Sequence, residues 1–147
     1  MDFVKETGIP SRYENIQSKK DIVLNSGEST VVEIEDSLVY SIIIRCPIDT
    51  KIKIDLYNIT DEPTPVSTLE FTPKALDSMR LYDKIKYTPY LIDMEEDFAL
   101  LAIEYEPPLI VKKMVMTITA QSPGEVSYII NYTRKVPIEE MIKKFFR

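Results

Sequence analysis

The 147-residue chain is 44% hydrophobic and 29% charged, with a formal charge of −6, no histidine, no tryptophan and one cysteine. That is the composition of one globular domain and not of a disordered segment. The negative charge argues against a general nucleic-acid binder, which needs a basic face to displace counterions from phosphates. The lack of histidine excludes Ser-His-Asp and Cys-His nucleophilic machinery and the commonest zinc ligand.

Other absences follow. Cys46 alone cannot form an intrachain disulfide. Glycines only at 8, 27 and 124 leave no phosphate-cradling loop. The opening MDFVKETGIPSRYENIQSKKD has no signal-peptide apolar core, and no run approaches the roughly 18 uncharged apolar residues of a membrane span. A cytoplasmic or virion-borne protein is therefore expected. Abundant Ile, Lys and Glu, glutamine only at 17 and 121, and prolines instead of glycines in loops are directions in which heat-adapted proteins drift. An AT-rich genome enriches Ile and Lys as well.

Along the chain, residues 1–20 show no sustained period and read as an N-terminal arm. IVLN (22–25) and TVVEIED (30–36) flank Ser26-Gly27-Glu28-Ser29, the pattern of a hairpin. LVYSIIIRC (38–46) is apolar on both faces, as a central strand is. Cys46 shares a face with Leu38, Tyr40, Ile42 and Ile44, which predicts a buried structural thiol. In KIKIDLYNI (51–59), Ile52, Ile54 and Leu56 point one way and Lys51, Lys53, Asp55 and Tyr57 the other. TDEPTP (60–65) is a loop, and VSTLEFT (66–72) an edge strand.

Residues 73–97 mix periodicities and suggest a strand around 79–87 within a long rim loop. FALLAIEYE (98–106), LIVKKMVMTITA (109–120) and VSYIINYTRKV (126–136) resume the strand pattern. Pro123-Gly124, within 121–125, sits where a type II turn wants those residues. The segment IEEMIKKFFR then places Ile138, Met141, Ile142, Phe145 and Phe146 at helical spacing, with acids first and bases last.

Eight or nine short strands followed by one helix predict an all-β fold: an antiparallel β-sandwich over 21–136, jelly-roll-like, with an amphipathic helix over 137–147. The helix stripe Ile138, Met141, Ile142, Phe145 and Phe146 is the expected interface, against its own domain or a neighbour.

Candidate chemistry is sparse. Asp93, Glu95 and Asp97 offer hard oxygen ligands to calcium but lack an EF-hand pattern. Glu104 and Glu106 alternate with Tyr105 and suit a groove or a plain exposed face. Tyr82, Tyr87 and Tyr90 are the candidate ligand-binding residues, because aromatic platforms stack on sugars or anchor protein interfaces. No cofactor, transition metal or enzymatic activity is expected. The composition points to a non-enzymatic structural or assembly protein that self-associates, of the kind found as virion coat or appendage components in a thermophilic system. A carbohydrate- or other ligand-binding β-sandwich module is the alternative.

Overall fold

A computed structural model describes residues 11–137 of the chain, and side chains from 14 to 134. The expected C-terminal helix, with its five interface residues, lies outside the described residues. Seven strands form one antiparallel sheet: β1 (Ser11–Leu24), β2 (Ser29–Pro47), β3 (Lys51–Tyr57), β4 (Ser67–Phe71), β5 (Tyr90–Met94), β6 (Phe98–Thr119) and β7 (Gly124–Pro137). The order is β1-β7-β2-β6-β3-β4, and β5 also pairs with β6. Among the described residues one short helix, α1 (Pro73–Ser78), lies between β4 and β5.

β2 lies between β7 and β6, the central place its doubly apolar sequence demands. Ile42, Ile44 and Cys46 are fully buried on one face. Tyr40, expected beside them, is exposed instead. Along β7, Tyr132 opposes Val39 and Asn131 opposes Ser41, so Tyr40 is an extra residue that turns the strand over. On the other side, Leu109 opposes Val39 and Glu104 opposes Ser41, leaving Tyr105–Pro108 looped out against Tyr40. Pro107 and Pro108 cannot donate to the ladder, so they sit at this break.

β2 and β6 each carry a second change of face at the same level. Ile34 and Met114 are paired and buried, and so are Ser37 and Val111, three residues further along each strand. Asp36, between them, has φ of 47°, a left-handed conformation that aspartate tolerates better than most residues. Fully extended, the 19 residues of β2 would span about 60 Å at about 3.3 Å each. Yet both its ends reach the β6–β7 turn. Ser26 Oγ donates to the Gln121 carbonyl at 2.8 Å and Gly27 N to that of Ala120 at 2.8 Å, while Ser122 Oγ donates to the Asp49 carboxylate. β2 therefore folds back on itself, and β6 folds with it.

The folded sheet encloses one core, which includes Ile34, Ile52, Ile54, Met116 and Ile118 from one half and Ile44, Leu101, Ile103, Val126 and Ile130 from the other. β3 keeps the expected alternation, with Ile52 and Ile54 inward. Asp55 is on the outward side but buried, accepting from Thr68 Oγ1 at 2.7 Å and paired with Lys53 at 3.6 Å.

Several expectations change. Residues 22–25 and 30–36 do not form a hairpin, because β1 pairs along its whole length with β7. That strand begins at Ser11, inside the segment read as an arm. No strand occupies 79–87: Arg80 and Tyr87 have positive φ (57° and 67°), which breaks an extended run. α1 precedes this stretch, with Thr72 Oγ1 accepting from Ala75 N at 3.1 Å, Pro73 in the first turn and Leu76 buried. Gly124 is not in the positive-φ region of a type II turn. Its lack of a side chain is needed for contact, since a Cβ there would lie 2.8 Å from Pro47 Cγ.

Replacing Ile44 (0% exposed) by alanine should destabilise the fold by ~2–5 kcal/mol, because the packed core cannot collapse into the gap. Ile110→Ala, at a residue 81% exposed, should stay within ~0.5 kcal/mol of wild type in the same urea titration.

Candidate functional site

The densest polar constellation outside the core gathers around Glu104 of β6. Tyr90, at the start of β5, donates its hydroxyl to Glu104 Oε2 at 2.9 Å, and Lys84 Nζ lies 3.1 Å from the same oxygen. These two contacts hold the Glu104 carboxyl below its usual range, the Tyr90 bond first and Lys84 second. Partial burial, and then the hydrogen bond to Glu104, push the Tyr90 hydroxyl up. Tyr87 joins from the loop before β5: its N–H donates to the Glu104 carbonyl at 2.9 Å and its hydroxyl to the Pro107 carbonyl at 2.6 Å. Its ring lies 5.7 Å from that of Tyr105, tilted by 49°.

The candidate tyrosines thus divide. Tyr87 and Tyr90 are brought together over β6, whereas Tyr82 donates its hydroxyl to Asp77 of α1. All three hydroxyls are committed within the chain: Tyr87 and Tyr90 fasten the connection and β5 to β6, and Tyr82 ties the connection to α1. What remains for a ligand is ring surface, since Tyr82 and Tyr87 are 47% and 43% exposed. Glu104, weighed in the sequence only as one of an alternating pair, is the hub. Lys84 carried no sequence signal.

The acidic residues are not brought together in the same way. Asp93 is exposed on β5, and Glu95 and Asp97 are exposed in the turn to β6. The Glu95 N–H and the Asp97 carbonyl are used in turn contacts with Phe98 and Ile48. Among the described residues, no three Asp, Glu, Cys or His side chains are grouped to hold a metal ion.

A cleft of about 440 Å³ opens where three turns meet, lined by Pro47, Asp49, Lys74, Asp97, Phe98 and Ser122 among others. Asp49 Oδ2 accepts from Ser122 Oγ, while its Oδ1 is buried without a partner. Residues so far apart in sequence announced nothing of this cleft. Cys46, close by, is fully buried, and burial pushes its thiol up to about 12.

The two outward faces of the folded sheet differ. On the β3–β4 side, register rows such as Val31-Thr117-Lys53-Glu70 and Glu33-Val115-Asp55-Thr68 are mostly polar. Lys113 lies 3.6 Å from Glu33 there. On the β1–β7 side, the row Lys19-Ile129-Ile43-Ala102-Tyr90 runs across five strands with three aliphatic residues at its centre. The next row is a polar ladder: Gln17 Nε2 donates to Asn131 Oδ1 and Asn131 Nδ2 to Ser41 Oγ, each at 2.8 Å, with Glu104 opposite Ser41.

No family model and no curated protein sequence matches the chain. No helix among the described residues is long and apolar enough to cross a membrane.

Two measurements test this geometry. A carboxyl whose native pKa is depressed stabilises the fold above its unfolded pKa, and that increment is lost as pH falls through the native value. Glu104 should titrate by carbon NMR below the ordinary 4.5, and Lys84→Met should move its midpoint upward. An unchanged midpoint would remove Lys84 from the cluster. For Cys46 the sign is opposite: its contribution is complete below the ordinary 9.0 and fades as pH rises toward about 12. A disulfide-exchange reagent at pH 8 should label Cys46 no faster than the protein opens, with full labelling in denaturant.

Proposed function

We propose that this protein is a non-enzymatic building block that self-associates through the outward face of its β1-β7-β2-β6-β5 half. The carrying observation is the contrast between the two faces. An antiparallel sheet with one face in water normally alternates apolar and polar residues. The β3–β4 half does so. In the other half, Ile43 and Ile129 stand between fully buried neighbours on each strand, so apolar residues occupy both faces. Half-buried aliphatics ringed by polar residues are the composition of an interface centre.

The finer reading of the fold is a jelly-roll-like β-sandwich. Its support is the strand order once β2 and β6 are divided at the crease. One layer then runs β1, β7, C-terminal β2, N-terminal β6, and the other N-terminal β2, C-terminal β6, β3, β4. This is the interleaving that two wound Greek keys produce. Lys20 of β1 donating to Thr30 of β2 at 3.1 Å ties the two layers at their edge.

Coat or appendage subunits of virions share this body plan, and the residue bias suits a thermophilic system. That step is analogy at the level of fold. Calcium at Asp93, Glu95 and Asp97 has no support from the arrangement of those residues. The carbohydrate alternative draws on the exposed rings of Tyr82 and Tyr87, with Glu104 as a hydrogen-bond acceptor.

Light scattering at tens of micromolar should give a mass that is a multiple of 17.0 kDa, and Ile43→Glu with Ile129→Glu should return it to the monomer without unfolding it. A folded wild-type monomer at that concentration overturns the proposal. Retained monomer with tyrosine fluorescence quenched by an oligosaccharide would favour the sugar reading.

A further inference from the structure

We infer that β1 is the self-association edge, pairing antiparallel with β1 of a second copy about a two-fold axis through Gln17. This rests on the self-association proposed above and adds to the face a second contact, at the edge beside it. Among the described residues, β1 stands at one end of the sheet order and pairs with β7 alone. Alternate amides and carbonyls along its 14 residues therefore face away from the sheet with no strand beside them. The strand at the other end, β4, and the short β5 have five residues each, the length at which an edge is too short to invite pairing. The N-terminal part of β2, which pairs with β6 alone among the described residues, is tied to β1 through Thr30 and Lys20.

The charges on this edge select one register. Lysines at sheet edges normally repel a second strand, and Lys19 and Lys20 would do so if they met their own copies. A two-fold axis perpendicular to the sheet keeps the outward faces of both copies on the same side. Opposed residues must then have positions that sum to an even number, because side chains alternate along a strand.

Between Glu14 and Leu24, the charged residues are Glu14, Lys19, Lys20 and Asp21. The axis at Gln17 places Glu14 opposite Lys20 of the second copy, twice by symmetry, with Asn15 opposite Lys19 and Ile16 opposite Ser18. The axis at Lys20 also pairs opposite charges, Lys19 with Asp21, but sets Lys20 against itself. Only the Gln17 register pairs opposite charges without a like-charge pair. Glu14 is half-buried and Lys20 exposed. Within the chain Glu14 lies 3.8 Å from Arg134 on the neighbouring β7, and Lys20 Nζ donates to Thr30 Oγ1 at 3.1 Å, so the cross-copy pair would share both groups with these contacts. In this register the aliphatic row of each outward face ends at Lys19, which stands opposite Asn15 of the other copy, and the two outward faces lie side by side on one surface of the joined sheet.

The test uses the full chain. Gln17→Cys puts a thiol on the axis, and directly opposed residues of antiparallel strands are close enough for a disulfide. Mild oxidation should yield a covalent dimer, with Cys46 remaining buried and unreacted. Glu14→Lys should weaken association by about tenfold, as two symmetric cross-strand pairs turn from attraction to repulsion. Glu14→Lys with Lys20→Glu together should restore it. If Gln17→Cys fails to fold, the charge series alone decides. A dimer that neither crosslinks at position 17 nor responds to Glu14→Lys overturns the edge while leaving self-association standing. A folded monomer in wild type overturns both.

Discussion

Everything in this fold depends on the crease that β2 and β6 share at Asp36. Two long neighbouring strands cannot change their buried face independently. If one turned over and its partner did not, every side chain beyond would face the wrong way and the ladder between them would break. Here Ile34 with Met114, and Ser37 with Val111, turn over together, and Asp36 absorbs the turn in a left-handed conformation. One ribbon thereby supplies the centre of both halves of the sheet. β3 and β4 extend one half, and β7, β1 and β5 the other. Among the described residues the six-residue α1 is the one helix, and it adds Leu76 to the core the two halves share.

Folding the ribbon back has a cost at the opposite end, where both ends of β2 meet the β6–β7 turn. Backbones must pass closely there, which accounts for Gly124 against Pro47 and for the hydrogen bonds that Ser26, Gln121 and Ser122 make to neighbouring turns. The unpartnered Oδ1 of Asp49 and the hydroxyl of Thr50 are buried at this crowded point. At the creased end, proline at 107 and 108 interrupts β6 just where Tyr40 is extra on β2. Tyr87 and Tyr90 then clasp the long connection from α1 down onto the same stretch of β6.

Much of this was legible in the sequence, and the failures have physical causes. The breaks read at Ser37 and at Pro107-Pro108 fall close to the places where β2 and β6 change face. The sequence reports the change of periodicity, but not that the strand continues through it. Alternation placed Ile52 and Ile54 inward, and the doubly apolar run at 38–46 placed β2 at the centre. Partner choice was illegible. Ser26-Gly27 looks like a hairpin turn, and Gly27 does have φ of 86°, yet its N–H bonds to Ala120 and the flanking strands diverge. What pairs β1 with β7 is a register between residues more than a hundred positions apart, and no local pattern encodes it. α1 was missed because six residues are too few to show a helical stripe. The Glu104 cluster was half seen: tyrosines and an acid were noticed, but Lys84 approaches only because the connection is folded down.

The proposed assembly role draws on how polar groups are spent. Glu104 is engaged by Tyr90 and Lys84, Asp55 by Thr68 and Lys53, and Asp49 by Ser122 on one oxygen. Each carboxylate is used to hold one segment against another. General acid–base work needs instead two such groups facing a shared space at a defined separation. Exposed apolar groups show the converse pattern. On the water-dressed half, threonines and ion pairs cover most of the sheet, whereas on the β1–β7 half the aliphatic row reaches toward β1, the longest edge strand among the described residues. A second strand on such an edge would add backbone hydrogen bonds and set the two aliphatic faces side by side on one surface, where a further copy could cover them.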